Sequence, residues 1–192
     1  NTWAMRYRHT FDNRLRFGFT AESDPGEAIF RGSNPHGFDF YSAHFFAQNV
    51  NATIKTIALG DYSARMGQGL LLQTGFAPGK SAETATIARS GRVLNAYGSF
   101  GEAYFFRGAA MTLSLGKNWE ITALFSMRRR DANVLAPADT LEFPDLVFSS
   151  LQTSGLHRTA AEISDEKSIR EWVGGFSATR QWQNGKISIN GL

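Results

Sequence analysis

Cysteine is absent from the 192 residues, which removes disulfide frameworks, thiolate nucleophiles and cysteine-ligated metals together. Charge is also scarce: 19% of residues are Asp, Glu, Lys or Arg, and the formal net charge is +3. A nucleic-acid binder concentrates its basic residues. The densest basic run here, Arg128-Arg129-Arg130, is followed at once by Asp131, so no nucleic-acid partner is expected. No run of eighteen apolar residues occurs, which excludes a transmembrane helix. It leaves a membrane barrel open, because barrel strands need only about nine to eleven residues with one apolar face. The opening Asn1-Thr2-Trp3-Ala4 has neither a basic n-region nor an apolar h-region, so any export signal is expected outside this sequence or already removed.

What is abundant points to strands and turns: 16 Phe, 5 Tyr, 4 Trp and 19 Gly. The first segment sets Trp3, Met5, Tyr7 and Phe11 against Thr2, Ala4, Arg6, Arg8 and Thr10, a period of two. Asp12-Asn13 supplies a turn, and Leu15, Phe17, Phe19 and Ala21 resume the pattern opposite Arg16, Gly18 and Thr20. The same reading continues along the chain and predicts strands near 2–11, 14–22, 38–49, 53–62, 103–115, 119–128, 170–182 and 186–192. In the third of these, Phe45-Phe46 breaks the alternation and leaves the facing open. The clearest hairpin turns at Gly116-Lys117-Asn118, and the last turns at Asn184-Gly185, a preferred type I′ pair.

Connections alternate between these short turns and long loops over 22–37, 63–102 and 129–169. Glycines 67, 69, 75, 79, 91, 98 and 101 fall in the second loop, which is expected to fold back over or into the barrel mouth. In the third, Thr159-Ala160-Ala161-Glu162 has the form of a capping box opening a short helix near Ile163.

Near-spanning strands, a small or polar second face and the short-long alternation together describe an all-β, antiparallel up-and-down transmembrane β-barrel. The chain reads as one domain, a portion of a larger barrel with about eight strands here and long extracellular loops. A soluble sandwich explains the alternation equally well, with the apolar face as core. It explains less well why the other face is dominated by Gly, Ser, Thr and Ala rather than Lys and Glu. Aromatics near strand ends, namely Trp3, Phe11, Tyr62, Trp119, Trp172 and Trp182, fit interfacial girdles.

The stretch from Phe38 to about Gly175 resembles a group of Bacteroidota outer-membrane proteins described as helix-hairpin-helix domain-containing proteins. The resemblance is carried in order by Phe38-Asp39-Phe40-Tyr41-Ser42, Leu59-Gly60-Asp61-Tyr62, Gly67-Gln68-Gly69-Leu70, Gly79-Lys80-Ser81 and Phe106-Arg107-Gly108-Ala109-Ala110. Its longest element is Phe148-Ser149-Ser150-Leu151-Gln152-Thr153-Ser154-Gly155-Leu156-His157-Arg158-Thr159. In that group a small helical domain precedes a large β-structured region. The helical domain has no counterpart here, so the resemblance implies a barrel in the bacterial outer membrane and carries no DNA binding. It leaves the biochemical role open.

The chemical motifs are weak. Gly75 to Gly79-Lys80-Ser81 has three residues between its glycines where a P-loop has four, and no strand-to-helix context. Ser154, His157 and Asp165 lack a nucleophile elbow, and structural polarity is preferred for them. His9, His36, His44 and His157 show no metal-ligand spacing, so no metal or cofactor is expected. A charge facing lipid at mid-depth costs roughly 2–4 kcal/mol, so Arg6, Arg8, Arg16, Arg107 and Arg128 should face the lumen or sit at the rim. Arg107 shares parity with Met111 and Leu113, which requires a rim position or a bulge. With Lys80 and Glu120 these are the candidate lumen or ligand-binding residues. The expected role is a non-enzymatic pore, transport or assembly component in contact with outer-membrane lipid and other envelope proteins. An outer-membrane hydrolase, with acids, His157 or serines gathered at the loop end, is one alternative; a soluble β-domain binding a protein partner is another.

Overall fold

A computed structural model of the chain describes residues 2–27, 29–30, 34–35, 37–75, 92–135 and 148–192. The chain is all-β with one large antiparallel up-and-down sheet. Strands β1 (Trp3–Phe11) and β2 (Leu15–Ser23) form the first hairpin, and β3 (Phe40–Gln48) and β4 (Ile54–Met66) the second. After a 3₁₀ turn at Gly67–Gly69 come two short strands, β5 (Leu72–Gln73) and β6 (Leu94–Ala96). Strands β7 (Phe106–Leu115) and β8 (Trp119–Arg130) follow, and then a small separate pair, β9 (Ala132–Val134) with β10 (Phe148–Leu151). Helix α1 (Ala160–Asp165) leads into the last hairpin, β11 (Ile169–Trp182) and β12 (Gly185–Gly191). The sheet order is β1-β2-β3-β4-β7-β8-β11-β12. It is open: β1 and β12 each have one neighbouring strand among the described residues.

Local chemistry accounts for the turns. Asp12 and Asn13 both take positive φ, +53° and +50°, in a three-residue turn that sets Phe11 opposite Leu15 and is closed by the Arg14 N–H donating to the Phe11 carbonyl at 3.0 Å. Asn51 Oδ1 accepts from the backbone N–H groups of Thr53 and Ile54 at 2.9 and 2.7 Å, which closes the second turn. The last turn falls one residue earlier than read from the sequence. Trp182 pairs with Gly185, so Gln183-Asn184 makes the turn and Asn184-Gly185 does not. Gly185 lies against the Trp182 indole, where an added Cβ would stand 3.0 Å from the ring.

The two faces of the sheet differ sharply. Outward side chains on the eight long strands include Trp3, Tyr7, Phe17, Phe45, Leu59 and Met111, and the set continues through Phe125 and Trp172 to Ile187 and Ile189, all exposed. The opposite, concave face carries Thr20, Ser42, Gln48, Thr112, Thr122 and Ser126, all buried. The Phe45-Phe46 ambiguity resolves cleanly: Phe45 faces out at 41% exposure, and Phe46 faces in at 0%.

What buries the polar face is the chain itself. Strand β4 pairs with β3 as far as Gly60, then exchanges that neighbour for β6, with Tyr62, Ser63 and Ala64 opposite Ala96, Asn95 and Leu94. Gly60 marks the exchange at φ +78°, where a Cβ would lie 2.3 Å from the Ala43 carbonyl oxygen. Beyond it, β4 to β6 crosses the concave side. Tyr62, Met66 and Leu94 form a core there with Phe46, Ala58 and Leu124 of the wall, so Tyr62 is 0% exposed and does not join the outer aromatic girdle expected from its strand-end position. Burying each large apolar side chain contributes about 1.5–3 kcal/mol. The Tyr62 hydroxyl donates to the Phe125 carbonyl at 2.8 Å and fastens the insert to β8. The described parts of the second loop, 63–75 and 92–102, therefore lie on the covered side of the sheet, and the rest of that loop, with Gly79 and Gly91, is outside the described residues.

Candidate functional site

The concave side holds most of the charged residues singled out in the sequence. Arg6 stacks over the Phe100 ring, 3.8 Å from its centroid, and Arg8 donates to the Gly98 carbonyl at 3.4 Å. Arg16 lies 5.2 Å from the Phe46 ring centroid. Arg8, Arg16, His44, Gln48 and Arg92 border one cavity of about 570 Å³, between β1–β3 and the insert. A neighbouring cavity of about 850 Å³ shares Arg8 and Gly98 and adds Arg6 and Arg65. Glu120 stands apart, near the turn end of the same face, where it lines a cleft with Arg92 and Lys186.

Arg107 is the second residue of β7, with its side chain exposed on the outward face. It meets Asp61 through two charge-assisted hydrogen bonds, Nε to Oδ1 at 2.7 Å and NH2 to Oδ2 at 2.8 Å, and donates to the Tyr41 carbonyl at 2.6 Å. Its parity with Met111 is thus retained, with its charge matched by an acid at the opposing register position. Arg128 points inward at the loop end. It donates to Glu171 at 3.1 Å and to the Ala103 carbonyl at 2.6 Å, with Phe105 beneath it at 4.6 Å. Lys80, with Gly79 and Ser81, lies outside the described residues, as does His36.

A second centre lies at the loop end, where the sequence offered acids and His157 only as an alternative and did not name Glu27, Asp39 or Asp131 as the partners. His157, 4% exposed, sits between two carboxylates: Nδ1 is 3.0 Å from Asp39 Oδ2, and Nε2 is 3.0 Å from Asp131 Oδ2. Its backbone N–H donates to Glu27 Oε1 at 2.9 Å. Asp131 also accepts from the Lys167 backbone N–H at 2.7 Å. The imidazole therefore ties the loop after β2, the start of β3 and the end of β8 to the segment that precedes α1. Helix α1 is set by the expected capping box: Thr159 Oγ1 accepts from the Glu162 N–H at 3.2 Å, and Glu162 accepts from the Thr159 N–H at 2.9 Å.

The electrostatics of this cluster are coupled. Burial alone would lower the His157 pKa, but hydrogen bonds to Asp131 and Asp39 outweigh it and hold the group up at about 10. Asp131 is held below its ordinary value, because the bonds from His157 and Lys167 overcome its burial. Burial, and next the charge of Asp39, push Glu102 up to about 8. Glu27 is raised by burial and by Asp39, against the backbone N–H groups that bond it.

Glu27, Asp39 and His157 bring three possible metal-ligand atoms within 4.8 Å of one another. The protonated imidazole already supplies the positive charge these carboxylates require, and both its nitrogens donate to acids. Its ring nitrogens meet Asp39 and Asp131, and it hydrogen-bonds to neither Ser154 nor Asp165. Nothing in the sequence spacing links positions 27, 39, 131 and 157; only the capping box at 159–162 placed the segment locally. No family model, curated protein or solved structure matches the chain.

Proposed function

We propose that this chain is a wall section and interior insert of a bacterial outer-membrane β-barrel that acts as a non-enzymatic pore, transport or assembly component. One observation carries the reading: apolar side chains are exposed along all eight long strands, while the polar face is buried through the middle of the sheet, from Thr20 of β2 to Ser126 of β8 and Ser177 of β11, and open only toward the edge strands β1 and β12. A soluble sandwich packs its apolar face and wets its polar one. Here the arrangement is reversed, and the exposed apolar surface runs from Trp3 near one sheet edge to Ile189 near the other. Isolated apolar patches serve partners; a continuous one around a curved sheet fits hydrocarbon.

The free edges of β1 and β12 support the same reading. In hydrocarbon each unpaired strand edge leaves amides and carbonyls unsatisfied at several kcal/mol per group. Further strands, from this polypeptide or another, complete the wall. The loop-end cluster favours a non-enzymatic role over a hydrolase, because His157 holds acids with both ring nitrogens.

Tryptophan fluorescence tests the proposal. Trp3, Trp119, Trp172 and Trp182 all face outward and are exposed. In vesicles of brominated phosphatidylcholine their emission should be strongly quenched relative to unbrominated vesicles. A detergent-free, soluble monomer with unquenched tryptophans would overturn the proposal. Single-channel conductance in planar bilayers then separates an open pore from an assembly role.

A further inference from the structure

We infer that the concave face holds a binding site, built by Arg8, Arg16, Arg92, His44 and Gln48, for a small solute bearing two or more oxyanion groups, phosphoryl or carboxyl. The cavity of about 570 Å³ is of ligand size. Three guanidinium groups border it and, among the described residues, no acid does. Arg92 and Arg8 both repel Arg16. Asp61 is engaged by Arg107 and Glu171 by Arg128 and Arg130, and Glu120, which shares the neighbouring cleft with Arg92, forms no ion pair with it and does not line this cavity.

Buried polar atoms supply the second observation. Arg16 Nε and Gln48 Nε2, both donors, have no hydrogen-bond partner among the described residues, and Gln48 is 4% exposed. Native proteins pair nearly all such atoms, and an unpaired group calls for a ligand or water. Like charges held together beside unpaired donors form a cradle that an oxyanion completes, since each guanidinium presents a planar fork matched to carboxylate or phosphate. The adjoining cavity continues the basic lining through Arg6 and Arg65, which favours a solute with more than one charged group. The site stands on the concave face whatever covers the outer one.

Isothermal titration of the full protein, folded in detergent at low ionic strength, tests this with pyrophosphate, citrate and maltose. Pyrophosphate or citrate should bind with Kd below about 1 mM, and maltose should not bind. Tighter pyrophosphate assigns the ligand to the phosphoryl class, and tighter citrate to the carboxylates. The combined Arg16→Gln and Arg92→Gln variant should lose about tenfold or more in affinity. Gln48→Leu, which changes no charge, should also weaken binding, whereas Lys117→Gln at the distant turn should not. Ligand-induced thermal stabilisation provides a folding-independent check: a variant that melts cooperatively yet gains nothing from pyrophosphate has lost the site rather than the fold. Absence of binding by both polyanions overturns the inference, as does equal weakening by Lys117→Gln and the arginine changes with none from Gln48→Leu. Tryptophan quenching is read separately, so failure here leaves the membrane proposal standing.

Discussion

Replacing His157 with Ala removes the cation between Asp39 and Asp131 while leaving both carboxylates in place. Asp39 and Glu27 have side chains 2% and 0% exposed, and Asp131 is 16% exposed. Taking one partner from a buried ion pair costs about 3–5 kcal/mol. Partial hydration of Asp131 places this case near 3 kcal/mol, which raises the locally open population by roughly a hundredfold. The readout is native-state hydrogen exchange. The Lys167 amide, bonded to Asp131 Oδ1, and the Gln152 amide, bonded to the Asp131 carbonyl at 2.9 Å, should lose about two orders of magnitude of protection. Amides of the β7–β8 ladder should change little. Unaltered exchange at Lys167 and Gln152 would refute the view that His157 clamps the loops. The pH dependence has a definite sign. His157 is raised from 6.5 to about 10, so its contribution is full below 6.5 and is lost as pH climbs through 10. Glu102, raised from 4.5 to about 8, acts in the same direction, its contribution falling as pH rises from 4.5 through 8. Asp131 is lowered from 3.8, so its contribution is present above 3.8 and is lost as pH falls through the depressed value. Protection should therefore peak near about pH 4–5 and decline steadily toward pH 10. A maximum above pH 8 contradicts these assignments.

Three further changes probe the wall. Gly60→Ala should prevent the native pairing of β3 with β4, because its Cβ would meet the Ala43 carbonyl at 2.3 Å; loss of heat-modifiable gel mobility is the readout. Phe125→Arg should cost roughly 2–4 kcal/mol if that residue faces lipid near mid-depth, measured by folding into vesicles, and an unchanged folding midpoint would count against the outward face as a lipid surface. Tyr62→Phe should cost about 0.5–1.5 kcal/mol through loss of the hydrogen bond to Phe125, seen as a modest drop in thermal midpoint.

Strand existence and facing were legible because period two acts residue by residue: Trp172, Phe176 and Trp182 against Val173, Ser177 and Gln181 admit one arrangement. The capping box was legible for the same reason, since Thr159 and Glu162 are three residues apart. The path of the insert was only outlined. Its glycines announced close packing, but the exchange of β3 for β6 at Gly60 depends on the conformation of one residue and on pairing with Leu94–Ala96, some thirty residues away. The loop-end cluster lay beyond reach, because it joins Asp39 and His157 across 118 positions. Arg92 was missed in the long loop, where a single basic residue gives no periodic signal. The Arg107 conflict could not be resolved by parity, because its answer is the carboxylate of Asp61, 46 positions earlier.

The departure of β4 from β3 at Gly60 constrains how such a wall could conduct. A stopper hung on a flexible tether can swing free and leave the surrounding cylinder intact. Here the obstruction is the upper half of a stave: β4 is still bonded to β7 at Tyr62, where it has already begun to pair with β6. Ejecting it whole would unzip the wall itself. In the proposed barrel, and among the described residues, a passage would open by parting the three-residue β4–β6 ladder or by threading the basic crevices beside it, so traffic there would be metered by small local breaks in hydrogen bonding.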